Sequence, residues 1–180
     1  MALRTADDRT RGALAAAGAL LVAGAAVLSG CVQQTAPAPP GQAAQITPGM
    51  GFFLNSTEDE GLKLAYGRAN SDDVWLMLQC QPGSRKVEVL DMRHGNARRG
   101  DMLVLTSGKM QSALAPDLQP NPEAGGALAV AHATPGLPAL DNFRHTGALA
   151  VKLGRREYAL TATPGEKVQI ARFFSGCEKK

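Results

Sequence analysis

The sequence has few aromatic residues and little surplus charge. Phe, Trp and Tyr make up 4% of the 180 residues, and Trp75 is the single tryptophan. Proteins that bind single-stranded nucleic acid by stacking need several exposed aromatic side chains, which argues against this class. The formal net charge is +3, which is too small to attract nucleic acid by electrostatics alone. We therefore expect no nucleic-acid partner.

The chain also lacks the local patterns of common enzymes and metal sites. Its three histidines, His94, His132 and His145, form neither an H-x-x-x-H pair nor a cluster with cysteine. The sequence contains no G-x-S-x-G motif and no glycine-rich phosphate loop. We predict no catalytic residue, no metal and no cofactor. A serine triad assembled in space with His94 or His145 is the alternative.

The first thirty residues have the organisation of an export signal. Arg4, Arg9 and Arg11 precede an uncharged run over residues 12–30 that consists mostly of Ala, Gly, Leu and Val. A positive segment followed by an apolar segment and small residues is typical of a secretory signal peptide. A transmembrane helix is the alternative, but the run is at the lower limit of membrane-spanning length.

The apolar run ends in Leu28-Ser29-Gly30-Cys31, which resembles the lipobox of bacterial lipoproteins. In that family the cysteine receives a diacylglyceryl group and becomes the new N-terminus. The resemblance implies that residues 1–30 are removed and that Cys31 carries a lipid anchor, with palmitate among its acyl chains. The mature protein is then expected on a membrane of the bacterial cell envelope. In enteric-type lipoproteins an Asp after the cysteine favours the inner membrane, so Val32 slightly favours the outer one.

The segment after the lipobox is expected to be a tether. Residues 32–50 are rich in Pro, Gln, Ala and Thr and carry no charge, which is typical of a linker. As a flexible coil they would span about 25 Å. We therefore assign residues 31–50 to the lipidated cysteine and its tether, and residues 51–180 to a single globular domain.

Two cysteines belong to the folded domain. With Cys31 assigned to the lipid, Cys80 and Cys177 form an even pair in an exported protein, where disulfides are permitted. Cys80 ends the apolar run 74–80, and Cys177 shares a helical stripe with Ile170, Phe173 and Phe174. We predict a Cys80–Cys177 disulfide that joins the C-terminal helix to the sheet. Two separate buried thiols are the alternative.

The domain has the pattern of short strands separated by turns. The 20 glycines and 11 prolines indicate many turns. Apolar runs recur at 62–67, 74–80, 86–92, 101–106, 109–114, 127–133, 148–153 and 156–162. Two tight hairpins are predicted, at Ser107-Gly108 and at Gly154-Arg155.

Two segments are predicted to be helical. Residues 138–144 predict a short helix that stops at Gly147. Thr163-Pro164-Gly165-Glu166 has the capping-box spacing that begins a helix. We predict an α+β fold: an antiparallel meander sheet of about six or seven strands, with the short helix and a C-terminal helix packed on the sheet. This layout is similar to that of small disulfide-bearing envelope domains such as the invasion-associated locus B-like proteins. The similarity covers layout without shared motifs, so it implies no function.

Basic residues gather in two loops. Arg93, Arg98 and Arg99 lie between two predicted strands, and a second group consisting of Lys152, Arg155 and Arg156 lies at a hairpin tip. Loop arginines can bind phosphate or carboxylate groups with two parallel hydrogen bonds. We therefore regard Arg93, Arg98 and Arg99 as candidate anion-binding residues. The alternative is that these charges merely keep the loops soluble.

These observations favour a membrane-anchored envelope lipoprotein with a non-catalytic binding or scaffolding domain. Its partner would be an envelope protein or an envelope polymer. The first alternative is a cell-envelope hydrolase. The second is a periplasmic accessory or inhibitor protein that inserts loop 116–126 into its partner.

Overall fold

The computed structural model describes residues 47–93, 97–120 and 127–179, and these ranges contain ten strands and two helices. The strands are β1 (Met50–Thr57), β2 (Gly61–Arg68), β3 (Val74–Cys80), β4 (Val87–Asp91), β5 (Leu103–Ser107), β6 (Met110–Leu114), β7 (Asp117–Pro120), β8 (Ala127–Ala133), β9 (Ala148–Leu153) and β10 (Arg156–Thr161). The helices are α1 (Pro138–Thr146) and α2 (Pro164–Glu178).

The strands form two antiparallel sheets. The six-stranded sheet has the order β1-β2-β3-β4-β8-β7, and the four-stranded sheet has the order β10-β9-β5-β6. After β4 the chain crosses to the second sheet for the β5–β6 hairpin and returns through β7 to place β8 beside β4. The α+β class is confirmed. The prediction of one meander sheet with six or seven strands is wrong, because ten strands divide between two sheets.

Two strands were not predicted, and each has a local reason. β1 combines buried residues with an exposed polar end, Asn55 to Thr57, so it shows no sustained alternation. β7 ends in Pro120 and lies in the segment 116–126 that was expected to be a loop. Proline lacks the backbone N–H needed for a central strand but is tolerated at a sheet edge, which is where β7 lies.

Both predicted hairpins are confirmed. In the first, Ser107 pairs with Met110, so the two-residue loop is Gly108-Lys109, one position later than expected. In the second, Leu153 pairs with Arg156 around Gly154-Arg155. Gly108 and Gly154 have left-handed backbone conformations, with φ of 57° and 59°. Glycine adopts this conformation without the steric cost of a Cβ atom.

Helix α2 begins and packs as the sequence predicts. The Thr163 hydroxyl accepts a hydrogen bond from the Glu166 backbone N–H, and the Glu166 carboxylate accepts one from the Thr163 N–H. These bonds satisfy donors that a helix N-terminus leaves unpaired. The four predicted stripe residues, Ile170, Phe173, Phe174 and Cys177, are buried.

The predicted Cys80–Cys177 disulfide is present, with the two Cα atoms 5.8 Å apart. It fixes the end of α2 to the end of β3. Near the bond, the N–H groups of Gly83 and Arg85 donate to the carbonyls of Gly176 and Cys177. Carbonyls of the last helical turn otherwise have no partner in the helix, so the loop after β3 completes the C-terminus of α2.

Helix α1 closes the other side of the core. Gly147 ends it in the left-handed conformation, as predicted, and its N–H donates to the Phe143 carbonyl. Phe143 is fully buried and contacts Phe52 and Phe174, with ring centroids 5.4 and 6.3 Å apart. The core is therefore continuous from β1 through α1 to α2.

Several predictions lie outside the described residues. These are the signal peptide, the lipobox with Cys31, the tether up to residue 46, His94, and residues 121–126 of the segment 116–126. In the part of the chain that the structure describes, no helix is long and apolar enough to cross a membrane.

Candidate anion-binding pocket

Arg98 of the first basic group and Arg155 and Arg156 of the second line one pocket. Its volume is about 570 Å³, and its described lining residues are Ala97, Arg98, Asp101, Leu153, Gly154, Arg155 and Arg156. Arg98 comes from the loop between β4 and β5, and Arg155 and Arg156 come from the β9–β10 hairpin. More than fifty residues separate the two groups in sequence. Because β5 pairs with β9, the loop before β5 lies beside the tip of that hairpin.

One wall of the pocket is a tight turn over residues 98–101. The Asp101 N–H donates to the Arg98 carbonyl at 3.0 Å, and the Asp101 Oδ2 accepts the Arg98 N–H at 2.8 Å. Gly100 lies in this turn with φ of 95°. The two reciprocal bonds fix the turn. Arg98 and Arg99 are both exposed, but only Arg98 lines the pocket.

The opposite wall is the β9–β10 turn, and it approaches Asp101 closely. A Cβ atom built on Gly154 would lie 2.8 Å from Asp101 Oδ2, which is shorter than a normal contact. Glycine is thus required at position 154 both by its left-handed φ and by this approach. The carboxylate of Asp101 therefore lies where the two walls meet, bonded to one turn and packed against the other.

The arginines of the pocket differ in how they are held. Arg156 Nη1 donates to the backbone carbonyl of Arg93, which anchors this guanidinium. Within the described ranges, the guanidinium groups of Arg98 and Arg155 make no hydrogen bond or salt bridge with the protein. A guanidinium has five N–H donors, so Arg98 and Arg155 keep all of theirs available for a ligand and Arg156 keeps most.

Arg93 was a candidate anion-binding residue together with Arg98 and Arg99, but the structure places it outside the pocket. Its guanidinium carbon lies 3.6 Å from the centroid of the Trp75 ring and 5.8 Å from that of Tyr158. Such a cation–π contact contributes about 0.5–2 kcal/mol, depending on exposure. Arg93 supports the pocket by holding Arg156 through its carbonyl, and it does not line the cavity.

A buried polar cluster lies behind Arg93. Asp91 is fully buried, and its Oδ1 accepts the Arg93 N–H and the Tyr158 hydroxyl, each at 3.1 Å. Burial, followed by the negative charge of Asp91, raises the pKa of Tyr158 well above its usual value. Tyr158 therefore remains a neutral hydrogen-bond donor at physiological pH. The cluster fixes the start of β10, which carries Arg156.

The remaining histidines and the buried serines lie apart from the pocket. His132 is exposed on β8, where Nδ1 is 3.7 Å from Glu88, and His145 is exposed at the end of α1. The Ser107 hydroxyl bonds to Thr146 and to the Ala148 carbonyl, and the Ser112 hydroxyl accepts the Ala139 N–H. Both hydroxyls thus have structural partners. In the described ranges, no three His, Cys, Asp or Glu residues are grouped as metal ligands would be.

Sequence reasoning missed Ala97, Asp101, Leu153 and Gly154 as pocket residues. The available signal was the approach of two turns that each combine glycine with arginine, Arg99-Gly100-Asp101 and Gly154-Arg155. Only the pairing of β5 with β9 brings them together. Comparison with models of known protein families finds no match, and comparisons with curated proteins and with solved structures find none either.

Proposed function

We propose that this chain is a lipid-anchored protein of the bacterial cell envelope whose domain binds an anionic group without catalysis. The pocket carries the binding part of the proposal, because Arg98 and Arg155 present unengaged guanidinium groups beside the anchored Arg156. Arginine matches phosphate and carboxylate groups with two parallel bonds. The partner is an anionic envelope polymer or an acidic envelope protein.

The lipobox motif around Cys31 supports the membrane part of the proposal. Each buried methylene of an acyl chain contributes about 0.8 kcal/mol, and two or more chains give stable anchoring. A tether that begins at residue 32 and ends before β1 would allow the domain to reach about 25 Å from the membrane surface. Val32 is compatible with the outer membrane.

Mass spectrometry of the chain isolated from its native membrane fraction tests the anchor. We expect a mature N-terminus at Cys31 carrying two or three acyl chains, and a mass two units lower than that of the reduced chain because one disulfide is present. The Cys31→Ala variant should keep residues 1–30 and carry no lipid. A wild-type chain that retains Met1 to Gly30 without lipid would refute the anchor.

Titration with inorganic phosphate tests the pocket. The full chain, purified in non-ionic detergent, should bind phosphate, and binding should weaken as salt increases because the attraction is electrostatic. Arg98→Gln and Arg155→Gln should each reduce the affinity. Arg99→Gln is the matched control, since Arg99 lies in the same turn but outside the pocket. Equal losses in all three variants would point to general surface charge and contradict a specific site.

A further inference from the structure

We infer that the pocket takes the phosphate monoester of a saccharide, an inference that rests on the proposed anion-binding function. The observations that carry it are the charge of the pocket, its size, and the position of the Asp101 carboxylate. The charge concerns the anionic group of the ligand, the size concerns its saccharide ring, and the Asp101 carboxylate concerns its hydroxyl groups.

The charge of the pocket matches a phosphate monoester. Its described lining residues include three arginines and one aspartate, whose formal charges sum to +2. A phosphate monoester carries about −1.5 to −2 near pH 7, with a second pKa of about 6. A single carboxylate carries only one negative charge and would leave a positive charge uncompensated. The forked donors of Arg98 and Arg155 also suit the oxygens of a phosphate.

The size and lining of the pocket exceed the needs of a bare anion. Its volume of about 570 Å³ lies in the range of roughly 300–1,000 Å³ that is typical of small-molecule sites. Ala97 is partly exposed and provides apolar surface among the arginines, whereas Leu153 is buried and forms only the floor. A sugar ring presents C–H groups on one face and hydroxyls at its edge, so it can cover Ala97 while its phosphate reaches the guanidinium groups.

Asp101 supplies an acceptor that the dianionic phosphate of a monoester, which has no P–OH group, cannot use. Its Oδ2 is engaged by the Arg98 N–H, and among the described residues no donor reaches Oδ1. An ionised carboxylate accepts hydrogen bonds only. The Asp101 carboxylate therefore repels an anionic group but accepts a hydrogen bond from a hydroxyl. A ligand that bears both a phosphate and hydroxyls satisfies the arginines and Asp101 together.

Isothermal titration of the full chain in non-ionic detergent tests the inference. The ligands are glucose 1-phosphate, inorganic phosphate, glucuronate and glucose. We expect glucose 1-phosphate to bind about ten-fold more tightly than inorganic phosphate, because bonds between hydroxyls and a charged carboxylate are among the stronger ones. Glucuronate should bind more weakly than glucose 1-phosphate, and glucose alone should give no measurable heat.

The pH dependence separates the phosphate from a carboxylate. Between about pH 7.5 and pH 5 the monoester passes its second pKa near 6 and loses negative charge, so affinity for glucose 1-phosphate should fall several-fold. Glucuronate remains ionised over this range and should be affected less. Equal pH dependence for both ligands would contradict recognition of the dianion.

The Asp101→Asn variant separates the saccharide from the phosphate. An Asn Oδ1 can still accept the Arg98 N–H, so the turn should be retained, and an unchanged melting temperature would verify this. Removal of the negative charge should reduce or abolish the preference for glucose 1-phosphate over inorganic phosphate. An unchanged preference would refute the role given to Asp101. Arg99→Gln should leave both affinities unchanged.

The outcomes distinguish this inference from the function on which it rests. If inorganic phosphate and glucose 1-phosphate bind the wild type equally, the pocket recognises the anion alone, and only the saccharide inference fails. If neither binds, the proposed anion site fails as well. Vesicles containing a phosphorylated glycolipid, compared with plain phosphatidylcholine vesicles, distinguish a lipid-borne saccharide phosphate from a free one.

Discussion

Replacing Cys80 and Cys177 together by alanine should strongly lower the free energy of unfolding of the domain. The bond joins residues separated by 97 positions. It therefore restricts the conformations of most of the domain's residues when the domain is unfolded. In the chain-entropy model, closure of a loop of about 100 residues contributes about 4.7 kcal/mol, and measured losses for natural disulfides are about 2–5 kcal/mol. We expect a loss of about 3–4 kcal/mol.

Chemical unfolding with urea, followed by circular dichroism, measures this loss. In a thermal unfolding experiment, each kcal/mol lost corresponds to about 3–4 °C for a domain of this size. The melting temperature should therefore fall by roughly 10–15 °C. The hydrogen bonds from the backbone N–H groups of the 81–86 loop to the end of α2 should break first, because the disulfide holds this loop against the helix. The wild type in reductant is the matched control: it should lose similar stability, whereas the double variant should not respond to reductant. A double variant that melts with the oxidised wild type would refute the reasoning.

Three further predictions concern single residues. Gly154→Ala should destabilise the domain by about 1–2 kcal/mol, because its φ is 59° and its Cβ would lie 2.8 Å from Asp101 Oδ2; Gly136→Ala, with open space around it, should be near neutral in the same urea titration. Thr163→Ala should cost about 1 kcal/mol by removing the helix cap, and Thr163→Ser should restore most of it. The raised pKa of Tyr158 means that the folded state holds the hydroxyl proton more tightly than the unfolded state. The neutral Tyr158 hydroxyl therefore contributes fully to the free energy of unfolding below the usual pKa of 10.0, and this contribution is lost as pH rises through the folded pKa. Tyr158→Phe should therefore flatten the decline of unfolding free energy above pH 10.0 measured by urea titration, and an unchanged slope would contradict the assignment.

Much of the local structure could be predicted because it depends on neighbouring residues. The capping box at Thr163 acts over three positions, and the buried stripe ending at Cys177 follows from the period of a helix. The β9–β10 hairpin needs only two strand patterns and a glycine that tolerates positive φ. The disulfide could be predicted because export was expected and because both cysteines fell on elements expected to be buried.

The arrangement of the sheets could not be predicted in the same way. β4 pairs with β8, so that Val87 lies opposite Ala133 across more than forty residues of chain. The intervening β5–β6 hairpin has the same alternating pattern as its neighbours but belongs to the other sheet. Local periodicity identifies strands without stating their partners, which depend on how the whole core packs.

The pocket shows the same division between local and tertiary information. The sequence alone placed arginines in two loops, because arginine beside glycine in a turn is exposed and available. It could not decide which of them share a site. The tertiary structure brings Arg98 to Arg155 and Arg156 through the pairing of β5 with β9, and it stacks Arg93 on Trp75. The physical reason is that a guanidinium interacts only with groups a few ångströms away. Which groups are that close depends on contacts between distant parts of the chain.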